Sequence, residues 1–402
     1  MNSNEIKTMN KSFKTLIEKR KKLLNDPQIK KLEEKVRIIR KNGIENNSKL
    51  LKEAKESLKR NDIDFFFAEN DEQARNIVYN IIKQEGECIV GKSKSNTLRE
   101  IAISDFLKLK GIEIVETDLG DRILQLKETD NKPTHPTGPA SHLNVEDITN
   151  IVNLSMNINI KPDPYEIMKV VREDVKKKIS NSNVGLSGAN AIASQDGSIV
   201  FIHNEGNISL ISLMKTHIIV VGVDKLVETV EDAISIAKLE TIYATGSKIT
   251  SYINIISGPS KTADIEKKLL KNMYGAEKVV VIFLDNGRFE VMKNIKESLF
   301  CIGCGSCLVT CPVYKVIANE FGFNNYLGGR GIAISKFIGN MNDSFDSGLY
   351  KCTTCGLCTL NCPVLIPTNE ILEEIRKCHE KECFPKIHEE IKDKIRKNGS
   401  PY

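Results

Sequence analysis

From Asp62 onward, short apolar runs alternate with longer segments of helical period. Ile63 to Ala68 reads as a strand, Asp71 to Lys83 as a helix opening on an acidic residue, and Glu87 to Val90 as a second strand. A helix over Ser95 to Lys108 and a strand over Ile112 to Glu116 follow. Strand-like runs recur at Ser198 to His203, His217 to Gly222, Tyr252 to Ser257 and Lys278 to Leu284. Between them, Asp224 to Leu239 reads as an amphipathic helix with Leu226, Val227, Val230, Ala233, Ile234 and Ala237 on its apolar face. Strands alternating with helices of ten or more residues predict βαβ units and a parallel sheet. The three prolines within 130–142 predict a loop crossing the surface.

Other stretches do not follow this alternation. Residues 1–60, rich in Lys, Glu, Leu and Ile, predict one or two helices broken near Asp26-Pro27 and Asn42-Gly43. Residues 313–351 predict helix and glycine-containing turn, with Ile332 to Ile338 helical after Gly328-Gly329-Arg330-Gly331. The pattern divides the chain into a basic helical arm (1–60), an α/β body (61–292), a helical module (293–372) and a charged helical tail (373–402). That number of parts suits 402 residues.

Charge refines the picture at the arm. It holds 18 Lys and Arg against 8 Asp and Glu, so the +5 net charge of the chain is +10 on the arm and −5 elsewhere. The arm is expected to be solvated, or to dock on an acidic partner, and the slightly acidic body argues against nucleic acid. No run approaches the roughly 20 apolar residues of a membrane span. The polar start, Met1 to Asn10, has no apolar core of a secretory signal, so a cytoplasmic protein is expected.

Cysteine placement carries the strongest chemistry. Only Cys88 of the 11 cysteines precedes residue 301, and its strand position predicts a small core residue. Cys301, Cys304, Cys307 and Cys311, followed by Pro312, form the string C-x2-C-x2-C-x3-C-P. Cys352, Cys355, Cys358 and Cys362, followed by Pro363, repeat it. This is the bacterial ferredoxin pattern for [4Fe–4S] clusters, in which the fourth cysteine ligates the other cluster. The expected sets are therefore Cys301, Cys304, Cys307 and Cys362 for one cluster, and Cys352, Cys355, Cys358 and Cys311 for the second. Zinc would use two cysteines per string and leaves the other two, and both prolines, without a role. The spacing of Cys378 and Cys383 in the tail is expected to hold no metal.

Polar, glycine-rich strings sit where the body's strands are expected to end. They suit anion binding by backbone N–H groups, and none is a nucleotide-binding motif. Lys92-Ser93-Lys94-Ser95, Val115 to Gly120, Gly188-Ala189-Asn190, Asn204-Glu205-Gly206-Asn207, Ser257-Gly258-Pro259-Ser260 and Leu284 to Arg288 together resemble the LUD domain. With the two cysteine strings behind them, the order resembles the iron–sulfur branch of that family, linked to lactate utilization, from about residue 15 to about 370. The resemblance implies a fold like sugar-phosphate isomerases and CoA-transferases, followed by an α-helical ferredoxin domain. It implies L-lactate oxidation, with a second LUD protein and a cysteine-rich iron–sulfur protein as partners. Set against that resemblance the tail is expected to be short, which would alter how partners dock.

On this reading a small carboxylate would be held by Lys92, Lys94, Ser95, Asn204, Asn207, Gly258, Ser260 and Arg288, with Asp118, His203 or Glu205 taking the hydroxyl proton. The rival reading is a non-catalytic electron-transfer subunit of a heterodisulfide-reductase-like complex. A CoA-transferase-like enzyme is a third, without a motif to support it.

Overall fold

The computed structural model describes residues 1–127, 132–324, 326–338, 341–379 and 386–400. The strands of its α/β body include β1 (Asp64–Ala68), β2 (Ile89–Lys92), β3 (Glu113–Glu116), β4 (Val184–Ser187), β5 (Ala191–Ala193), β6 (Ile199–His203), β7 (Thr216–Gly222), β8 (Leu226–Val227) and β9 (Tyr252–Ile256). A small hairpin of β10 (Lys261–Thr262) and β11 (Leu270–Lys271) precedes β12 (Lys278–Leu284). Six strands form a parallel sheet in the order β1-β12-β7-β4-β2-β3. Its central strands are apolar on both faces, as a sheet covered on both sides requires. Alternation along β7 sends Ile218 and Val220 to the helices Asp71–Gln84, Asn96–Glu100 and Ile103–Leu109. Ile219 and Val221 point the other way, toward Leu50 and Leu58 of helix Asn47–Arg60 and toward Phe201 of a second sheet.

That second sheet, β8-β5-β6-β9, is mixed, with β6 antiparallel to β5 and β9 and β8 parallel to β5. Ile192, Ile199 and Phe201 face the first sheet, whereas Ala191 and Val200 face the helix Val230–Thr245. This helix starts after Thr229, whose side chain caps Asp232 N–H. The predicted helix over Asp224 to Leu239 is thus corrected at its start. Leu226 and Val227 pair with β5 instead, so strand pairing overrides their helical spacing. The helix is also buried on nearly all sides rather than amphipathic.

The predicted helix over Ser95 to Lys108 is two, interrupted where Ala102 takes a left-handed backbone. Cys88 is exposed, because the ladder starts at Ile89 and leaves Cys88 at the sheet's end. The glycines 328, 329 and 331 belong to the helix Gly328–Ile338 rather than to a turn before it. A Cβ on Gly331 would lie 1.5 Å from the Tyr326 carbonyl oxygen, so close packing requires glycine there.

The arm is not a solvated appendage. It forms the helices Ser3–Lys21, Pro27–Glu45 and Asn47–Arg60. Met9, Phe13, Val36 and Ile44 join the core of the Val230–Thr245 helix and of the cysteine-bearing module. Its buried Arg20 and Arg40 reach into both parts: Arg20 donates to the Tyr243 carbonyl and the Ser306 hydroxyl, and Arg40 to the Phe300 carbonyl. The predicted surface loop 130–142, of which 130 and 131 lie outside the described residues, also runs inward. Thr134 and His135 are buried. Tyr314 of the module donates to the Thr134 carbonyl oxygen at 2.7 Å, and Phe13 and Tyr314 stack with ring centroids 6.3 Å apart. Among the described residues, no helix is long and apolar enough to cross a membrane.

Candidate functional site

A cavity of about 250 Å³ opens beyond the C-terminal ends of the parallel strands. Open α/β sheets bind ligands in this position. Lys94, Ser95 and Thr97 line it after β2, Asp118 after β3, Gly188 and Asn190 after β4, and Lys225 after β7. His203, Asn204, Glu205 and Asn207 close another side after β6, and Glu240 and Thr241 enter from the Val230–Thr245 helix. Pro136 and Thr137 of the inward loop, and Ile302 and Gly303 of the first cysteine string, complete the wall.

Seven of the expected body residues thus meet here: Lys94, Ser95, Asp118, His203, Asn204, Glu205 and Asn207. Local structure explains their placement. Ser95 and Asp118 are N-caps of the helices after β2 and β3, so each faces the strand-end crevice. Gly188 lets Ser95 approach, since a Cβ there would lie 2.4 Å from the Ser95 hydroxyl. Lys94 Nζ donates to Asp118 Oδ2 at 2.9 Å. Burial opposes the Asp118 charge, yet Lys94 holds its carboxyl below the usual carboxylate range. The His203 ring stacks on Tyr252 with centroids 4.8 Å apart and accepts from Gly206 N–H through Nδ1. Burial lowers its pKa, and these contacts commit the ring to structure. Asn204 Oδ1 accepts from Thr250 and Ser251 and closes its turn. Glu205 Oε2 accepts from Leu119 N–H at 3.0 Å. Burial, with Asp118 nearby, pushes the Glu205 carboxyl up to about 7.

Four expected residues lie elsewhere. Lys92 is fully buried, with Nζ 2.6 Å from Glu116 Oε1 on the neighbouring strand. Arg288 spends its guanidinium on Glu100, at 2.6 and 2.9 Å, and on Asp224 at 2.7 Å. Gly258 and Ser260 belong to the segment leading to the β10–β11 hairpin, where Ser260 N–H bonds the Ala276 carbonyl. Conversely, sequence reasoning missed Lys225 and Glu240. Burial pushes the Glu240 carboxyl up to about 7, while its Oε2 accepts from Asn190 Nδ2 at 2.9 Å. Only a charged residue interrupting the apolar run of that helix could have signalled it.

The two cysteine strings fold alike. Each passes through a left-handed glycine, Gly305 or Gly356, into a short helix, Ser306–Thr310 or Leu357–Leu360. The two helices pack together, and Ser306 Oγ donates to the Asn361 carbonyl oxygen at 3.0 Å. Backbone N–H groups of Gly303, Thr354 and Tyr314 point at the sulfurs of Cys301, Cys352 and Cys311, each at 3.4 Å. Burial pushes the Cys304 thiol up, and Cys362, Cys301 and Cys307 add to it. Cys311 is likewise raised by burial and by Cys352 and Cys358. Cys362 rises to about 11 by burial, with Cys301 close by. Thiols so placed need a positive partner to ionise, and Arg20, Arg330 and Arg376 stand beside them.

Among the described residues, no three or more His, Cys, Asp or Glu side chains gather round a single-ion position. A four-iron cube makes a different demand, since each thiolate binds its own corner iron and the sulfurs stay apart. Thiolate donors, N–H groups on sulfur and flanking guanidinium groups fit that group. Cys378 is exposed on helix Thr368–His379, and Cys383 lies outside the described residues.

The strings are not equally enclosed. Gly305 lies under the inward loop, where a Cβ would meet His135 Nε2 at 2.2 Å, whereas a Cβ on Gly356 would meet nothing within 4 Å. Cys304 is buried and Cys355 exposed.

Comparison with known proteins agrees with both halves. The LUD domain model matches residues 51–284, and a 4Fe-4S dicluster domain model matches residues 297–366. The chain is 33% identical over 341 residues to Lactate utilization protein B of Geobacillus thermodenitrificans, covering 84% of this chain and 70% of that one. It is 32% identical, with the same coverage, to the protein of that name from Bacillus cytotoxicus. A DUF162 family crystal structure from Deinococcus radiodurans aligns over 59% of this chain and 98% of that chain, at 11% identity and a TM-score of 0.32, too loosely to bear on the fold. The chain belongs to the LUD domain family, in the branch that joins this α/β domain to an iron–sulfur module.

Proposed function

We propose that the chain is the iron–sulfur subunit of a complex that oxidises a 2-hydroxy acid, L-lactate first among candidates, and that it carries two [4Fe–4S] clusters. One observation carries the reading: Ile302 and Gly303, which sit between cluster ligands Cys301 and Cys304, also line the polar cavity. A substrate held there stands beside the first cysteine string. The name that the relatives carry, Lactate utilization protein B, supports lactate. A cavity of about 250 Å³ suits a small acid better than a drug-sized ligand, which takes about 300–1,000 Å³.

Oxidation of lactate to pyruvate releases two electrons and two protons. The clusters supply single-electron acceptance, one electron each. In this reading Ser95, Asn204 and Asn207 orient the substrate, Lys94 adds positive charge, Glu205 accepts the hydroxyl proton, and the Cα hydrogen leaves as a proton to water in the open cavity as its two bonding electrons pass singly to the clusters. Asp118 holds Lys94, and His203 supports the wall. The thiols that bear on one another favour Cys301, Cys304, Cys307 and Cys362 for one cluster, and Cys352, Cys355, Cys358 and Cys311 for the other. Partners would be a cysteine-rich iron–sulfur protein and a second LUD protein.

The test is reduction of the anaerobically reconstituted chain, which should hold about eight irons. L-lactate alone should bleach its visible absorption and raise the EPR signal of reduced clusters. Reduction only in the presence of a partner would move the chemistry there and leave this chain an electron-transfer subunit. Cys311→Ser should abolish the signal of the cluster bound by the second string.

A further inference from the structure

Resting on that reading, we propose that Lys225 is the carboxylate anchor of the cavity, and that through it the first cluster senses whether the cavity is filled. Two ammonium groups border the cavity, and they differ in how they are matched. Lys94 is held by Asp118 and by the Thr137 carbonyl oxygen at 3.3 Å. Lys225 has Asp224 at 3.3 Å, but that carboxylate also faces Arg288 at 2.7 Å and Arg40 at 3.8 Å. One carboxylate cannot balance three cations. Glu100 takes up the remaining face of Arg288. Arg40 and Arg288 are buried, so the positive charge reaches the cavity at Lys225, whose side chain is 24% exposed. The other carboxyl that bears on Lys225, Glu240, is pushed up to about 7 by burial and so offsets its charge only in part.

Position adds the second half. Lys225 follows β7 at the ligand-binding end of the sheet and borders both the main cavity and a smaller one of about 100 Å³ that reaches Cys301 and Cys307. Its Nζ donates to the Cys301 carbonyl oxygen at 3.2 Å. A carboxylate arriving at Nζ competes for that donor and brings negative charge toward the cluster. Glu240 stands on the same cavity wall, and a Cβ on Gly303 would lie 3.4 Å from its Oε1. The wall thus offers a cation for a carboxylate and a hydrogen-bonding carboxyl for an adjacent hydroxyl or carbonyl oxygen. The ligand class is a small 2-hydroxy or 2-oxo acid.

The experiment uses anaerobic, cluster-loaded protein and measures binding of L-lactate, glycolate, pyruvate and the neutral amide lactamide. The acids should bind and the amide should not, and an acid should lower the midpoint potential of the first cluster. In Lys225→Gln, acid affinity should fall at least about 10-fold, as expected for losing a charge-assisted hydrogen bond, and the shift should vanish. Lys225→Arg should restore both. The proposal is overturned if no acid binds, if Lys225→Gln binds acids as tightly as the parent with its iron intact, or if the potential ignores the ligand. If Lys225→Gln loses its iron, the parent protein decides, by whether acid but not amide shifts the potential. Acids that bind through Lys225 without reducing the clusters would sink lactate oxidation by this chain and leave the anchor standing.

Discussion

Glu205 is the residue at which acidity and geometry meet. Burial, with Asp118 close by, holds its carboxyl at about 7, and it borders the cavity. A proton acceptor works only when ionised, so activity should rise as pH passes up through about 7 and level off above it. Glu240 titrates in the same range, so single Gln variants are needed to separate the two. Glu205→Gln should lower kcat/KM by roughly 100-fold or more and remove the acid limb of the profile. A profile unchanged in Glu205→Gln would move the role to another group. The cysteines were legible because their spacing is local and chemically specific. Lys225 and Glu240 were not, since each gains its place from long-range packing. The motif lysine Lys92 misled because Glu116 consumes its charge one strand away.

Elements built on local period were read well. β1, β7 and β12 lie within a residue of where the apolar runs placed them. Errors arose where tertiary contacts decided the outcome. Leu226 and Val227 left a helical pattern for a strand, and a charge-dense arm turned out to carry an apolar stripe that packs against two parts of the chain. Phe13 tests that packing. It is 3% exposed, and its ring lies 5.7 Å from His135 and 6.3 Å from Tyr314. Phe13→Ala should cost about 3–5 kcal/mol by opening a cavity between helix, loop and module. Thermal denaturation should show the loss, and iron should leave at lower temperature. An exposed residue on the same helix, such as Lys14→Ala, should change stability by less than about 0.5 kcal/mol.

Across the molecule, identical strings have unequal surroundings. The first is walled by the body, the inward loop and the arm, with Arg20 and Arg330 beside its sulfurs. The second presents Cys355 to solvent, with exposed Leu357 and Leu360 alongside. Ferricyanide or a soluble iron chelator should therefore attack the second-string cluster first. EPR during such a challenge, assigned with Cys355→Ser, should lose that signal while the other persists, and simultaneous loss would contradict the asymmetry. Sequence could not disclose this difference, because the repeat is nearly symmetric and the enclosure comes from residues more than 150 positions upstream of Cys301, such as His135.

The approach of His135 to Gly305 also dictates what can follow Cys304 in the chain. Any side chain there would collide with the imidazole, so loop and string can meet only across a glycine. Gly305→Ala should push the loop off the string, whereas Gly356→Ala, with open space around it, faces only the strain of its left-handed backbone. One missing methyl group thus decides which of two like turns can be roofed over.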